Sequence, residues 1–412
     1  MERLRDTFKR FALGGLLIKD RLRYGVSYNP LTPANRDNPY PAYARLRRID
    51  PVHRSSLGVW ILTRHEDCVR VLRDHEGFSS DAHGTRHPDD PPGEKNLEML
   101  FCDPPRHTRL RSLVNKAFTP RAVQRLEQHI QSVVNERLDG LRPGEPFDLI
   151  EVLAFPLPVI IISEMLGIES EDRVRFKRWS DDLSSTLGVT SAAKLRRAAA
   201  SRKHFQAYLG DVIEARRREP REDLISNLLS AEEQGGRLDM RELLDLCELL
   251  LVAGNETTTN LIGNGMLALL RNPDQLALLR QRPELAERCV EECLRYDAPV
   301  QYTERTARKD VVIGGRQISR GQALVCCMGA ANHDPERFVD PDRLDITRED
   351  NPHLAFGGGI HYCVGSGLAR MEGRIAISTL ALRFGELRLL ERSPRWRDNT
   401  VLRGLRRLML VG

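Results

Sequence analysis

A chain of 412 residues with 41% hydrophobic and 29% charged side chains has a globular balance, which excludes a disordered or membrane-embedded polypeptide. Its 63 basic and 58 acidic residues leave +5, a mild excess that gives no basis for nucleic-acid binding, although a local basic patch could serve an acidic protein. Cys68, Cys102, Cys247, Cys289, Cys293, Cys326, Cys327 and Cys363 form no CxxC pair, which excludes a zinc ribbon or a thioredoxin-type site.

Residues 1–30 read as an N-terminal extension with a basic start and an apolar run from Phe11 to Ile18. Eight apolar residues cannot span a bilayer, and no clear signal-peptide cleavage site follows them. Residues 51–63 predict a hairpin turning at Leu57-Gly58. Residues 81–98 predict a polar loop of a length that is often functional. From 105 to 290, apolar residues recur at three- and four-residue spacing, which predicts helices. Cys289 and Cys293 lie four apart on one of them, a metal-binding spacing, with no histidine pair nearby. Residues 300–330 switch to strands and turns, and 332–353 form a Pro-rich irregular stretch. A helix follows Cys363, with Ile375, Leu380, Leu382 and Phe384 on its apolar side. The fold class is mainly α with a smaller β-region.

Every cysteine but Cys363 reads as a small buried residue of a reducing cytoplasm. Cys363 lies in F-G-G-G-I-H-Y-C-V-G-S-G, residues 356–367. Glycines let a flat ligand approach and let backbone N–H groups point at the sulfur, and a helix start beside it favours thiolate. With no second cysteine or histidine pair at ligand spacing, a metal here would bring its own equatorial ligands, as haem does. The stretch resembles the haem-binding signature of the cytochrome P-450 family, with Phe356, Gly357, Gly359, His361, Cys363 and Gly365 on the pattern. That resemblance implies a P-450 fold, with haem between the long central helix and the loop carrying the Cys363 ligand. Because one haem must meet residues from 107 to 363, it also implies one domain over 31–412.

Further segments resemble the same family. Residues 249–262 lie in a long apolar helix with a polar patch, and Leu250, Ala253, Gly254, Thr257 and Leu261 share a face. The match to A-G-x-(acid)-T-T implies that Ala253 and Gly254 leave room beside the haem, that Thr257 steadies bound oxygen, and that Glu256 helps deliver protons. In "EECLRYDAP" Glu292 and Arg295 stand one turn apart, and the resemblance implies a buried pair completed by Arg343 of "DPDRLD". His107 and Arg111 in "DPPRHTRLR", Arg305 in "ERTAR" and His361 fall where the family places partners for the haem propionates. The resemblance covers the chain from about residue 39 to the end.

The implied activity is that of a haem-thiolate monooxygenase inserting one oxygen atom of O2 into a C–H bond, with haem b as cofactor. No convincing dinucleotide fingerprint is present, so NAD(P)H acts only through a separate ferredoxin or flavodoxin and its reductase. Arg106, Arg109, Arg370 and Arg374 are the expected docking cations. A peroxide-driven peroxygenase and a non-catalytic haem sensor or electron carrier are the rivals, and retention of Glu256 and Thr257 argues against both. The expected substrate is a lipophile of moderate size, a neutral terpenoid, steroid or polyketide ahead of a free fatty acid. Its pocket draws on Met99, Leu100, Phe101, Leu249, Leu250, Ala253, Val300, Gln301, Val401 and Leu402, and a carboxylate would have to find a cation such as Arg86. The expected protein is a cytoplasmic monomer without a transmembrane span.

Overall fold

The structure is a computed structural model and describes residues 19–56, 58–81, 99–168, 172–187, 191–233 and 238–412. The apolar N-terminal run, Leu57 and the 82–98 loop with Arg86 lie outside the described residues. The chain forms two compact units, each assembled from separated stretches of sequence.

The first unit takes Met1–Thr85, Val300–Asp342 and His353–Tyr362. Its core is a five-stranded sheet in the order Val52–Arg54, Trp60–Leu62, Ala323–Cys326, Thr303–Ala307, Phe78–Ser79. The predicted hairpin is present, with Val52 opposite Leu62 and Arg54 opposite Trp60. Strand Trp60–Leu62 then runs parallel to Ala323–Cys326, which joins two distant parts of the sequence. Val52, Leu62, Leu324 and Cys326 point to one buried layer against Val71 and Leu72 of helix His65–Arg73, as the two-residue strand period requires. Residues just after the undescribed N-terminal run are packed onto this unit. Asp20 is buried and accepts hydrogen bonds from Ser56, and the Tyr28 hydroxyl bonds that of Tyr43.

The second unit takes Arg86–Pro299, Arg343–Pro352 and Cys363–Gly412 and is helical, with a small sheet of Phe147–Asp148, Met409–Val411 and Arg388–Leu389. A 32-residue central helix, Met240–Arg271, runs through it. Asp239 and Glu242 close its start reciprocally, each side chain accepting the other's backbone N–H, which satisfies two otherwise orphaned donors. Helices Pro156–Met165, Arg173–Ser184, Ala286–Tyr296 and Ser366–Arg383 pack around it. No helix among the described residues is long and apolar enough to cross a membrane.

Two sequence expectations change here. Ile375 and Leu380 of the helix after Cys363 are buried as expected, but Leu382 is half exposed, and Leu368, Met371 and Ile377 are buried with them, so the inward stripe starts earlier than the apolar residues at the helix end suggest. Cys289 and Cys293 are buried in the core, as expected of every cysteine but Cys363; the hydrogen bond from Cys289 and burial push the Cys293 thiol up. Glu292 and Arg295 are fully buried and bidentate, at 2.8 Å for both contacts, but the residue completing the pair differs. Arg343 offers only its carbonyl, to Arg295 Nη2 at 3.0 Å. Arg348 Nε and Asn351 Nδ2 reach Glu292 Oε2 at 3.2 Å, and the Asp345 N–H reaches Oε1 at 2.9 Å. One carboxylate thereby fixes the irregular segment 343–351, whose backbone has no ladder to hold it.

Candidate active site

In the second unit, Cys363 stands two residues before N-cap Gly365 of helix Ser366–Arg383 and is half-buried. Burial pushes its thiol pKa up; the Gly365 N–H, Arg111 and Arg370 pull it back, without reversing the shift. The helix start alone therefore does not make the thiolate, as the sequence suggested it would. A cation at the sulfur is needed to displace the proton.

The glycines divide by task. In the first unit, Gly359 has φ +65°, and a Cβ there would stand 2.3 Å from the Leu72 carbonyl oxygen, so its role is to let helix His65–Arg73 come close. Gly365, in the second unit, faces open space. Phe356 and Gly357 precede it in the first unit, Phe356 with its ring 6.2 Å from that of Tyr362. His361 is half-buried there. Arg305, also in the first unit, is buried and donates to the Glu304 carbonyl at 2.7 Å and to Thr303 Oγ1 at 3.3 Å.

The central helix has 21 buried residues, yet Ala253 is exposed and Gly254 and Thr257 are half exposed in its middle. The helix, buried at every position from Thr258 to Leu269, opens here onto an accessible space. The Thr257 hydroxyl donates to the Ala253 carbonyl at 2.6 Å, the back-bond that locally bends helices. Glu256, the residue before Thr257, is buried, and burial pushes its carboxyl pKa up while Arg397 opposes the shift from 3.5 Å. His107 is buried one turn before Arg111 on helix Arg106–Ala117, and Arg111 Nε donates to Asn115 at 3.1 Å.

These residues fit a haem. Among the described residues no group of three His, Cys, Asp or Glu could hold a metal, so an ion at Cys363 must arrive with its own ligands. Gly365 gives open space next to the sulfur, and Ala253 and Gly254 present small accessible surfaces on the central helix.

Residues 48–403 match the cytochrome P450 family. The chain belongs to that family. It is 44% identical over 386 residues to cytochrome P450 107B1 of Saccharopolyspora erythraea, covering 89% of this chain and 93% of that one. It is 43% identical over 381 residues to a vitamin D(3) 25-hydroxylase of Pseudonocardia autotrophica, covering 90% and 93%. Among solved structures, P450BioI in complex with acyl carrier protein bearing hexadec-9Z-enoic acid superposes with a TM-score of 0.87 at 37% identity, covering 92% and 98%. The protein is thus a P450 monooxygenase of the bacterial type, with haem and O2 as the family's cofactor and co-substrate.

The P450's expected pocket residues fall into two sets. Met99 and Leu250 are buried in the helical core, and Leu402 is buried too. Gln301 is buried in the first unit, where its Oε1 accepts from the Tyr43 hydroxyl at 3.1 Å. Leu100, Phe101, Leu249, Val300 and Val401 keep accessible surface. The four docking arginines are all engaged: Arg106 and Arg109 on Glu242, Arg370 on Glu291 and Arg374 on Glu127. Each pairing neutralises part of the positive field that these arginines present.

Sequence reasoning missed two residues. Arg397 stands between Glu256 and Asp181 at 3.5 and 3.7 Å, and nothing in its local sequence marks it. Glu372 is buried nine residues after Cys363; burial pushes its carboxyl pKa up to about 8, opposed by a hydrogen bond with Thr258. The folded chain keeps a proton there that the unfolded chain releases above about 4.3, so stability falls as pH rises from that value towards 8. Glu372→Gln removes the titration. It should raise the melting temperature at pH 8.5 by an amount on the order of 3 kcal/mol of stability and leave it nearly unchanged at pH 5. Equal shifts at both pH values would contradict the buried, protonated carboxyl.

Proposed function

We propose that this P450 monooxygenase inserts one oxygen atom of O2 into a C–H bond of a moderately sized lipophile, with electrons from a separate ferredoxin or flavodoxin and its reductase. Cys363 would hold the haem iron, with Ala253, Gly254, Phe356, Gly357 and Gly365 along the ring; His107 and Arg111, with Arg305 and His361 by family resemblance, would meet the propionates. The observation that carries the reading is the Ala253–Thr257 patch, where a buried helix becomes accessible beside a buried acid. The haem supplies oxygen activation with the electron push of a thiolate ligand. Thr257 Oγ1 offers a hydroxyl that can exchange its 2.6 Å bond to Ala253 for a bond to a ligand in that space. Glu256, protonated more readily than an exposed glutamate, holds a proton one residue away. Arg397 orients it and limits how far its pKa rises.

Relatives named as a vitamin D(3) 25-hydroxylase and a polyketide-biosynthesis P450 support a neutral lipophile, and burial of such a ligand is worth roughly 25 cal/mol per Å² of apolar surface. The acyl chain presented on a carrier protein in the P450BioI complex supports carrier-bound acyl substrates as well. The proposal also takes residues 31–412 as one functional domain, a cytoplasmic monomer. Spectral titration of the holoenzyme against a lipophile panel, with product mass analysis, tests the substrate class; responses only to small charged compounds would exclude it. Thr257→Ala should retain substrate binding while the yield of product per NAD(P)H falls about tenfold or more, a typical general acid–base contribution. Unchanged coupling would remove Thr257 from the mechanism.

A further inference from the structure

Glu256 is buried, so any proton it gives up must be replaced from water through some other group. Its Oε1 lies 3.5 Å from Arg397 Nη1, and its Oε2 is buried without a hydrogen-bond partner. One turn further along the central helix, both ends of the buried Asn260 amide also lack partners. Buried polar atoms grouped in this way are ordinarily met by water. The Glu256–Asn260 face therefore has the polar groups to hold a water beside the carboxyl.

Arg397, the Ser184 hydroxyl and Asp181 act on the Glu256 carboxyl. Arginine keeps its proton and a serine hydroxyl stays neutral, so Asp181 is the acid of this set. Asp181 and Ser184 stand on helix Arg173–Ser184, on the face they share with Lys177. The Asp181 side chain is 43% exposed, against 6% for Glu256. Asp181 thus reaches water and Arg397 at once.

Arg397 Nη1 lies 3.7 Å from Asp181 Oδ1 and 3.5 Å from Glu256 Oε1, so one nitrogen stands between the two carboxyls. Both distances lie beyond the usual range of an N–H···O bond, and neither acid grips the guanidinium. The backbone holds Arg397 instead. Its N–H donates to the Gly404 carbonyl at 2.9 Å and its Nε to the Leu405 carbonyl at 3.2 Å. A fixed cation shared in this way lets either carboxyl carry the charge while the other is protonated. Burial raises the pKa of both. At Asp181 the Arg397 and Lys177 cations oppose the rise and Asp182 adds to it. At Glu256 Arg397 and Ser184 oppose it and Asp181 adds to it. Two acids shifted in the same direction by the same cause exchange a proton at little cost.

We infer that Asp181 is the residue through which Glu256 draws protons from solvent, with Arg397 the positioning residue that holds the two carboxyls together. This rests on the reading in which Glu256 supplies protons, and adds their source. The proton leaves the Asp181 carboxyl for the Glu256 carboxylate across bound water. Asp181 then takes one from bulk water, and the pair ends with the charge it began with.

Infrared spectroscopy of the full-length holoenzyme tests this without a substrate. The Glu256 carboxyl band is the difference between each protein and its Glu256→Gln counterpart, recorded below the pH at which Glu256 ionises. Its shift after dilution into D2O reads proton exchange with solvent. Asp181→Asn keeps the size of the side chain and an oxygen for Arg397, but cannot carry the proton, and should slow the exchange about tenfold or more. Asp181→Glu should bring the rate back near that of wild type. Arg397→Leu removes the cation that opposes the Glu256 shift, so the midpoint of the Glu256 band should move to higher pH. Equal exchange rates in wild type and Asp181→Asn, or Asp181→Glu as slow as Asp181→Asn, overturn the proposal. An unmoved midpoint in Arg397→Leu removes Arg397 from it. Undiminished product per NAD(P)H in Glu256→Gln would strike at the use of Glu256 in the monooxygenase reading and leave the exchange result standing.

Discussion

Cys363→Ser should lower monooxygenase turnover about a thousandfold, roughly 4 kcal/mol of barrier, and shift the Soret band of the reduced CO complex away from the thiolate position. Serine keeps the size of the side chain and leaves Arg111, Arg370 and the Gly365 N–H in place. What it removes is a soft sulfur whose proton a metal cation can displace. A hydroxyl ionises far less readily, and as a neutral oxygen it donates little charge. The fold should survive, because Cys363 is half-buried and its loop is held by backbone bonds such as Ser366 N–H to the Cys363 carbonyl, which serine keeps. Retained haem with an altered band is therefore the expected pair of results. An unshifted band would show that the ligand is another residue.

Arg295→Met should cost about 3–5 kcal/mol, the range for removing one partner of a buried ion pair. The loss is larger than a pairwise view suggests. Glu292 would keep Arg348, Asn351 and the Asp345 N–H, but these come from the segment that Glu292 itself holds in place. Arg295 also donates to the Arg343 carbonyl, so the substitution loosens the same segment twice. Denaturant unfolding of the holoenzyme reads the effect as a lower midpoint, with far-UV circular dichroism to confirm native helix content before unfolding. A midpoint within experimental error of wild type would contradict the structural role given to this cluster.

Much of this arrangement was legible because it depends on local pattern. Strand alternation around Gly58 marked the hairpin, small residues beside Thr257 marked the open patch, and the Gly-flanked Cys363 marked the loop that leads into helix Ser366–Arg383. What escaped depends on partners distant in sequence. Arg343 and Arg348 lie in a stretch with no periodicity, so nothing local says which turns its guanidinium inward. Gly359 looks designed for a ligand until the Leu72 carbonyl is seen against it. The pairing of Arg106 and Arg109 needs Glu242, more than 130 positions later, and Glu372 resembles any solvated helix acid until Thr258 is placed beside it.

The C-terminal turn holds its backbone independently of the side chain at its tip. Asn399 Oδ1 accepts the N–H groups of Val401 and Leu402 at 2.9 Å, and Arg403 is clamped by Asp297 at 2.6 Å and stacked on Trp396. The Arg403 carbonyl accepts from Asn264, and Gly404 lies against Asn260 too closely for any Cβ. None of these contacts uses the side chain of Val401, which keeps accessible surface. The turn is a rigid mount with an exchangeable tip. Successive substitutions at position 401 can sample different shapes without disturbing the anchors, so the tip of this turn can change in evolution at little expense to the fold.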